Sequence, residues 1–109
     1  MIAMIIIYTT FPDREKALEI CKNLLLEKLI ACFNVFQIDS GYWLDGKVSQ
    51  DKEFAAILKT SNFKEQEVFK KLKELHPYSV PAIFSVEIKT VDANYKQWLE
   101  ESLSNTDNQ

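Results

Sequence analysis

The first apolar stretch, Ile2 to Tyr8, is continuous and largely β-branched, the pattern of a strand covered on both faces. Thr10-Phe11-Pro12-Asp13 stops it and opens a helix, with proline suited to the first turn. From Asp13 to Lys28, residues Ala17, Leu18, Cys21, Leu24, Leu25 and Leu29 recur at helical spacing. Arg14, Glu15, Glu19, Lys22 and Glu27 take the other side, giving one amphipathic helix. Ala31 to Ile38 reads as a second strand, continued by Tyr42-Trp43-Leu44 beyond a kink near Ser40-Gly41. Asp45-Gly46 is the strongest short hairpin signal in the chain. The returning strand, Val48 to Thr60, alternates through Phe54, Ala56 and Leu58. Ser61-Asn62 is predicted to cap a second helix, with Asn62 and Glu65 at capping-box spacing. Val68, Phe69, Leu72 and Leu75 supply its apolar stripe, and His76-Pro77 ends it. Ile83 to Ile88 forms a fourth strand with Phe84, Val86 and Ile88 on one face. Asp92-Ala93-Asn94 caps a last helix carrying Tyr95, Trp98, Leu99 and Leu103.

This order predicts an α+β fold, a ferredoxin-like βαββαβ unit with an additional C-terminal helix. The sheet is antiparallel and four-stranded, with helices on one face. Residues 1–103 form a single domain; the tail 104–109, which lacks apolar residues, is expected to be disordered. The hairpin is longer than such a sheet needs, with about ten residues either side of its turn against a usual strand of about 5–6. An isolated ribbon bearing Tyr42, Trp43, Leu44 and Val48 would leave large apolar surface in water. Either a bent hairpin folds back on its own domain or packing against another copy removes that surface. The second is the leading expectation, and Tyr42, Trp43 and Leu44, with Trp98 of the last helix, are assigned to an interface between subunits.

Composition narrows the function classes. The chain has 109 residues, 47% hydrophobic and 27% charged, with a formal charge of -3. Mild acidity argues against a nucleic-acid partner, which needs clustered Lys and Arg. The one basic cluster, Lys70, Lys71 and Lys73, alternates with Glu65, Glu67 and Glu74 as a solvated helix face. The apolar N-terminal run has no basic residue before it and meets Thr9-Thr10 quickly, too short for a signal peptide or membrane span. Cys21 and Cys32 both fall in apolar patterns and read as reduced thiols, so a cytoplasmic or otherwise reducing location is expected.

Few residues offer chemistry. His76 is the one histidine. A His before proline is more often a helix-end cap than a ligand, but it is the leading metal candidate, with Cys32 as a weaker soft ligand. Copper or zinc held by one imidazole would bind weakly. Lys59 and Glu53 lie six apart on one strand face and are a candidate cleft-lining pair, and Tyr78 is a further polar residue beside a strand; a surface salt bridge is the plainer account of the two charges. Asp39 is a further polar residue within a strand. No glycine-rich phosphate loop, CxxC, HExxH or Ser-His-Asp order is present, and no catalytic residue is assigned.

Several words of the chain, in order, carry a resemblance. They are Glu27-Lys28-Leu29-Ile30-Ala31-Cys32-Phe33-Asn34, Asp45-Gly46-Lys47, Leu58-Lys59-Thr60, Leu75-His76-Pro77-Tyr78-Ser79-Val80-Pro81 and Tyr95-Lys96-Gln97-Trp98-Leu99. From Ile5 to Leu103 the chain resembles the divalent-ion-tolerance CutA family. The resemblance implies a ferredoxin-like fold, a homotrimer, a link to copper and other divalent metals, and no established enzymatic activity. It also implies that the Lys59 and Tyr78 positions line a cleft between subunits. Three departures stand out. Leu44 occupies the place where family members usually carry Trp, with Trp43 one earlier on the opposite strand face. Ala82 stands where a Glu is usual. Thr9 and Leu75 stand where some bacterial members offer a Cys and a second His to copper, so His76 alone remains of that ligand set.

The leading expectation is a trimeric, non-enzymatic protein of divalent metal tolerance. It would bind a metal weakly, or a small ligand or unidentified protein partner, in an intersubunit cleft. The alternatives are a ligand sensor of the nitrogen-regulatory PII type and a small trimeric isomerase or lyase using His76 and Tyr78. The PII reading meets a short-turned hairpin where a long nucleotide loop is needed, and the enzyme reading lacks a nucleophile or oxyanion site.

Overall fold

A computed structural model describes residues 2–104. The β-branched opening run becomes β1 (Met4–Phe11). Asp13 then caps α1 (Arg14–Leu26), its carboxylate accepting from the Lys16 N–H. The helix ends with Lys28 in the left-handed region at φ 62. Leu29 N–H bonds the Leu24 carbonyl and Lys28 N–H that of Leu25. That pattern is a Schellman turn with a lysine where glycine is usual, and it swings the chain directly into β2 (Cys32–Leu44).

A two-residue turn leads to β3 (Lys47–Ser61). Asp45 and Gly46 both have positive φ, 51 and 76, the twist that a two-residue hairpin demands. A Cβ on Gly46 would meet nothing within 4 Å, so replacing it with alanine isolates the backbone penalty. Gly46→Ala should lower stability by about 1 kcal/mol, read as a shift of the urea midpoint with an unchanged slope. After a 3₁₀ turn at Asn62–Lys64 come α2 (Glu65–Leu75), β4 (Ile83–Glu87) and α3 (Ala93–Leu103). Sheet order is β2-β3-β1-β4, every pairing antiparallel, which is the ferredoxin-like arrangement plus a C-terminal helix.

Three expectations are corrected. There is no kink near Ser40-Gly41: the ladder runs unbroken from Cys32↔Lys59 to Leu44↔Lys47, with Gly41 opposite Gln50. No capping box forms from Asn62 and Glu65. The Asn62 amide oxygen accepts from Ala3 N–H, clamping the start of β1 to the end of β3, and Glu65 takes the Ser85 hydroxyl. The helices also do not all share one face. Alternation along β1 sends Ile5, Ile7 and Phe11 toward α1 and α2, where they meet Ala17, Leu24, Leu58, Val68 and Leu72. Met4 and Ile6 point the opposite way, into a second cluster with Tyr95, Leu99 and Leu103 of α3. Ser104 closes α3 through its N–H to the Glu101 carbonyl; the rest of the expected disordered tail lies outside the described residues. Among the described residues no helix is long and apolar enough to cross a membrane.

The β2–β3 ribbon dominates the shape. β1 leaves β3 at Phe11↔Phe54, and Lys47–Glu53 runs on paired with β2, about 23 Å of ribbon beyond the sheet. The molecule measures 51 × 29 × 22 Å, with a radius of gyration of 15.0 Å. A compact chain of this length has about 13 Å.

Candidate functional site

The base of the ribbon gathers the polar side chains. The proline at 77 ends α2, leaving His76 extended at ψ 135 and turning its ring back over the sheet. There it stacks on Phe11, with centroids 4.7 Å apart and an interplanar angle of 10°. The Nδ1 atom of His76 accepts from the Tyr78 backbone N–H at 3.1 Å, so the neutral ring carries its proton on Nε2. That N–H points to the buried Thr9 hydroxyl, 3.2 Å away. Burial lowers the His76 pKa below its ordinary 6.5, outweighing the Thr10 carbonyl and Glu53, which favour the charged form.

Tyr78 carries the chain of contacts onto the ribbon. Its hydroxyl donates to Glu53 Oε2 at 2.7 Å. Burial, then this bond to a carboxylate, raise the phenol well above its usual 10. Glu53 sits on β3 just past the last residue that β1 pairs, where the ribbon leaves the sheet. Further out, Tyr42 donates to Asp51 at 2.6 Å and Lys52 meets Asp39 at 2.6 Å. The hairpin register already contains the Tyr42–Asp51 pair, because Tyr42 lies opposite Ser49 and two residues along that strand is Asp51 on the same face. Thr9 as the partner of His76 had no register signal; only the resemblance, which sets positions 9, 75 and 76 in one ligand set, pointed to it.

Of the sequence-predicted site residues, His76, Tyr78 and Glu53 come together; Lys59 and Cys32 stand apart. Glu53 and Lys59 do share a strand face, but six residues of strand put them about 20 Å apart. Lys59 lies over the Tyr95 ring, 5.8 Å from its centroid, on the α3 side of the sheet. Cys32 is opposite Lys59, which is opposite Ile6, so the thiol faces the α3 side. His76 bonds Thr9 on the face that holds α1 and α2. Within one chain Cys32 and His76 therefore do not meet.

The residues present do not fit a divalent metal. Among the described residues no group of three or more His, Cys, Asp or Glu side chains is placed to share an ion. His76 has both ring nitrogens engaged, one by a backbone donor, and its nearest side-chain oxygen is a threonine hydroxyl rather than a thiolate or carboxylate. Leu75 packs into the core beside it, and Ala82 is exposed.

The two thiols differ sharply. Cys21 is fully buried on α1, and burial pushes its pKa up to about 12, whereas Cys32 is half-buried. A thiolate is the reactive form, so native protein should show at most one accessible thiol per chain, and two after denaturation. Rapid labelling of both in the folded protein would contradict the burial of Cys21.

The predicted interface residues Tyr42, Trp43, Leu44 and Trp98 all carry large exposed apolar surface in the single chain, Trp43 most of all at 76%. Cross-strand pairing puts Trp43 and Val48 on one face of the ribbon tip and Tyr42 and Leu44 on the other. Both faces present large apolar side chains, the second beside Lys47 and Ser49.

Comparison with known proteins gives a consistent answer. Residues 5–102 match the sequence pattern described as CutA1 divalent ion tolerance protein. The divalent-cation tolerance protein CutA of Thermotoga maritima is 54% identical over 100 residues, 92% of this chain and 99% of that one. The crystal structure of Pyrococcus horikoshii CutA superposes with a TM-score of 0.88 at 48% identity, covering 90% of this chain and 97% of that one. The structure described as the periplasmic divalent cation tolerance protein CutA of Archaeoglobus fulgidus gives 0.90 at 38% identity, covering 93% and 99%. With the ferredoxin-like sheet, the long ribbon and near full-length matches all agreeing, this chain belongs to the CutA1 divalent ion tolerance family.

Proposed function

We propose that the chain acts as a homotrimer that catalyses no reaction and serves divalent metal tolerance by binding a small ligand or a protein partner in a cleft between subunits. The observation that carries this is the ribbon tip. Trp43 and Val48 on one face and Leu44 on the other are more than half exposed, and one chain cannot cover both faces of its own two-stranded extension. The sheet order also leaves β2 and β4 as edge strands, which natural proteins cover or pair.

In such an assembly the cleft floor would be the Tyr78–Glu53 bond at the ribbon base, with Lys59 supplied by a neighbouring copy. Copper or zinc would have to displace the contacts His76 makes with Thr9 and Tyr78 to reach one imidazole per chain, so any binding would be weak. A nucleotide sensor of the PII type is less well supported, because here the ladder runs fully paired to a two-residue turn and leaves no long loop. An isomerase or lyase would have to use a His76 and Tyr78 that are already bonded to Thr9 and Glu53. Two free thiols support a reducing compartment, the cytoplasm by default.

A thermal-shift screen tests the cleft. Small anions, ATP, ADP, Cu(II) and Zn(II) are added to wild type, Lys59→Ala and Tyr78→Phe. A small ligand that raises the melting temperature of wild type and loses that effect in both variants is the expected result. Stabilisation by ATP that ignores both substitutions would sink the proposal.

A further inference from the structure

We infer that His76 is a positioning residue in this chain rather than a metal ligand: its ring fixes the segment after α2 so that Tyr78 reaches Glu53. The functional weight of this assignment rests on the cleft proposed above; the chain of contacts does not.

Four observations carry it. The segment 76–82 is constrained by proline only at Pro77 and Pro81, and it connects α2 to β4 without regular structure of its own. His76 pins its start at two points, accepting the Tyr78 N–H on Nδ1 and donating from Nε2 to Thr9 in the middle of β1. Phe11 packs flat against the ring and removes its remaining freedom. Tyr78, held two residues on, then spans from that segment to the ribbon through its hydroxyl. A ligand nitrogen in a protein metal site binds with one ring nitrogen and has the other fixed by a second-shell acceptor. Here Nδ1 faces a donor, and Nε2 is the protonated atom aimed at a buried hydroxyl. For a metal to bind at Nε2 the Thr9 contact must break, and for one to bind at Nδ1 the Tyr78 N–H must be left without its acceptor. Neither nitrogen is offered to an ion.

The sole histidine makes the test clean. Its two ring nitrogens give one set of signals in a long-range proton–nitrogen spectrum of the intact protein, and the pattern expected is a proton on Nε2 with Nδ1 bare. Adding one equivalent of Zn(II) per chain should leave both signals in place. Amide exchange at Tyr78 should be about fivefold to tenfold faster in His76→Ala, the effect of one lost hydrogen bond, and return toward wild type in His76→Asn, whose side-chain oxygen can replace Nδ1 as acceptor. If His76→Ala does not fold, His76→Gln against His76→Asn makes the same comparison, because glutamine reaches toward Thr9 instead. A zinc-induced shift of either ring nitrogen at one equivalent, or Tyr78 exchange indifferent to the residue at 76, overturns the assignment. Failure of the cleft proposal would show elsewhere, as a single-chain mass for wild type, with the His76 signals unaltered.

Discussion

Phe11→Ala is expected to destabilise the fold by about 3–5 kcal/mol, the range for emptying a buried aromatic site. Phe11 is fully buried at the end of β1, opposite Phe54, and belongs to the cluster that joins the sheet to α1 and α2. It is also the surface on which the His76 ring lies. The substitution therefore removes core volume and the support of the histidine together. Urea unfolding should show the midpoint falling with little change in slope, and Tyr78 should lose amide protection along with it. A loss below about 1 kcal/mol would mean that the ring is not packed as described.

The second large effect concerns assembly. Trp43 is mostly exposed in the single chain, so Trp43→Asp should change the intrinsic stability of one chain by no more than about 0.5 kcal/mol. If the ribbon tip is an interface anchor, the same change should cost on the order of 2 kcal/mol or more per interface, about 30-fold in affinity. Size-exclusion chromatography with light scattering over a dilution series separates the cases. The variant should dissociate at concentrations where wild type does not; identical elution of the two at every dilution would remove Trp43 from the interface.

Much of the fold was legible because local chemistry specified it. The apolar run that became β1, the helical spacing of Ala17, Cys21 and Leu24, and the break at His76-Pro77 all reappear in the structure. Asp45-Gly46 set the ribbon register, since a left-handed pair of residues closes a two-residue hairpin with the strand twist. The misreadings also have physical causes. Ser40-Gly41 read as a kink in a continuing strand, but a glycine opposite Gln50 in a two-stranded ladder keeps its pairing. Asn62 and Glu65 had capping-box spacing, yet Asn62 found a better partner in Ala3, a contact between residues far apart in sequence. The placement of α3 across the second face follows from Met4 and Ile6 needing cover, which a continuous apolar strand does not disclose by alternation.

The candidate site was legible residue by residue but not as an arrangement. His76, Tyr78 and Glu53 stood out by type; that they form one line of contacts, and that Thr9 completes it, depends on where the segment after α2 crosses the end of β1. Cys32 and Lys59 looked equally eligible until the register paired them with each other, about 20 Å along the strand from Glu53. The family words located the important residues and grouped positions 9 and 76, without telling that Tyr78 and Glu53 continue the same line of contacts.

The measurement that bears most directly on the account is the mass of the wild-type protein in dilute solution, by sedimentation at about micromolar concentration. A ribbon that hides its tip against neighbouring copies predicts a stable species of three times the 12.7 kDa of one chain. A well-behaved 12.7 kDa particle with Trp43 in water would contradict it.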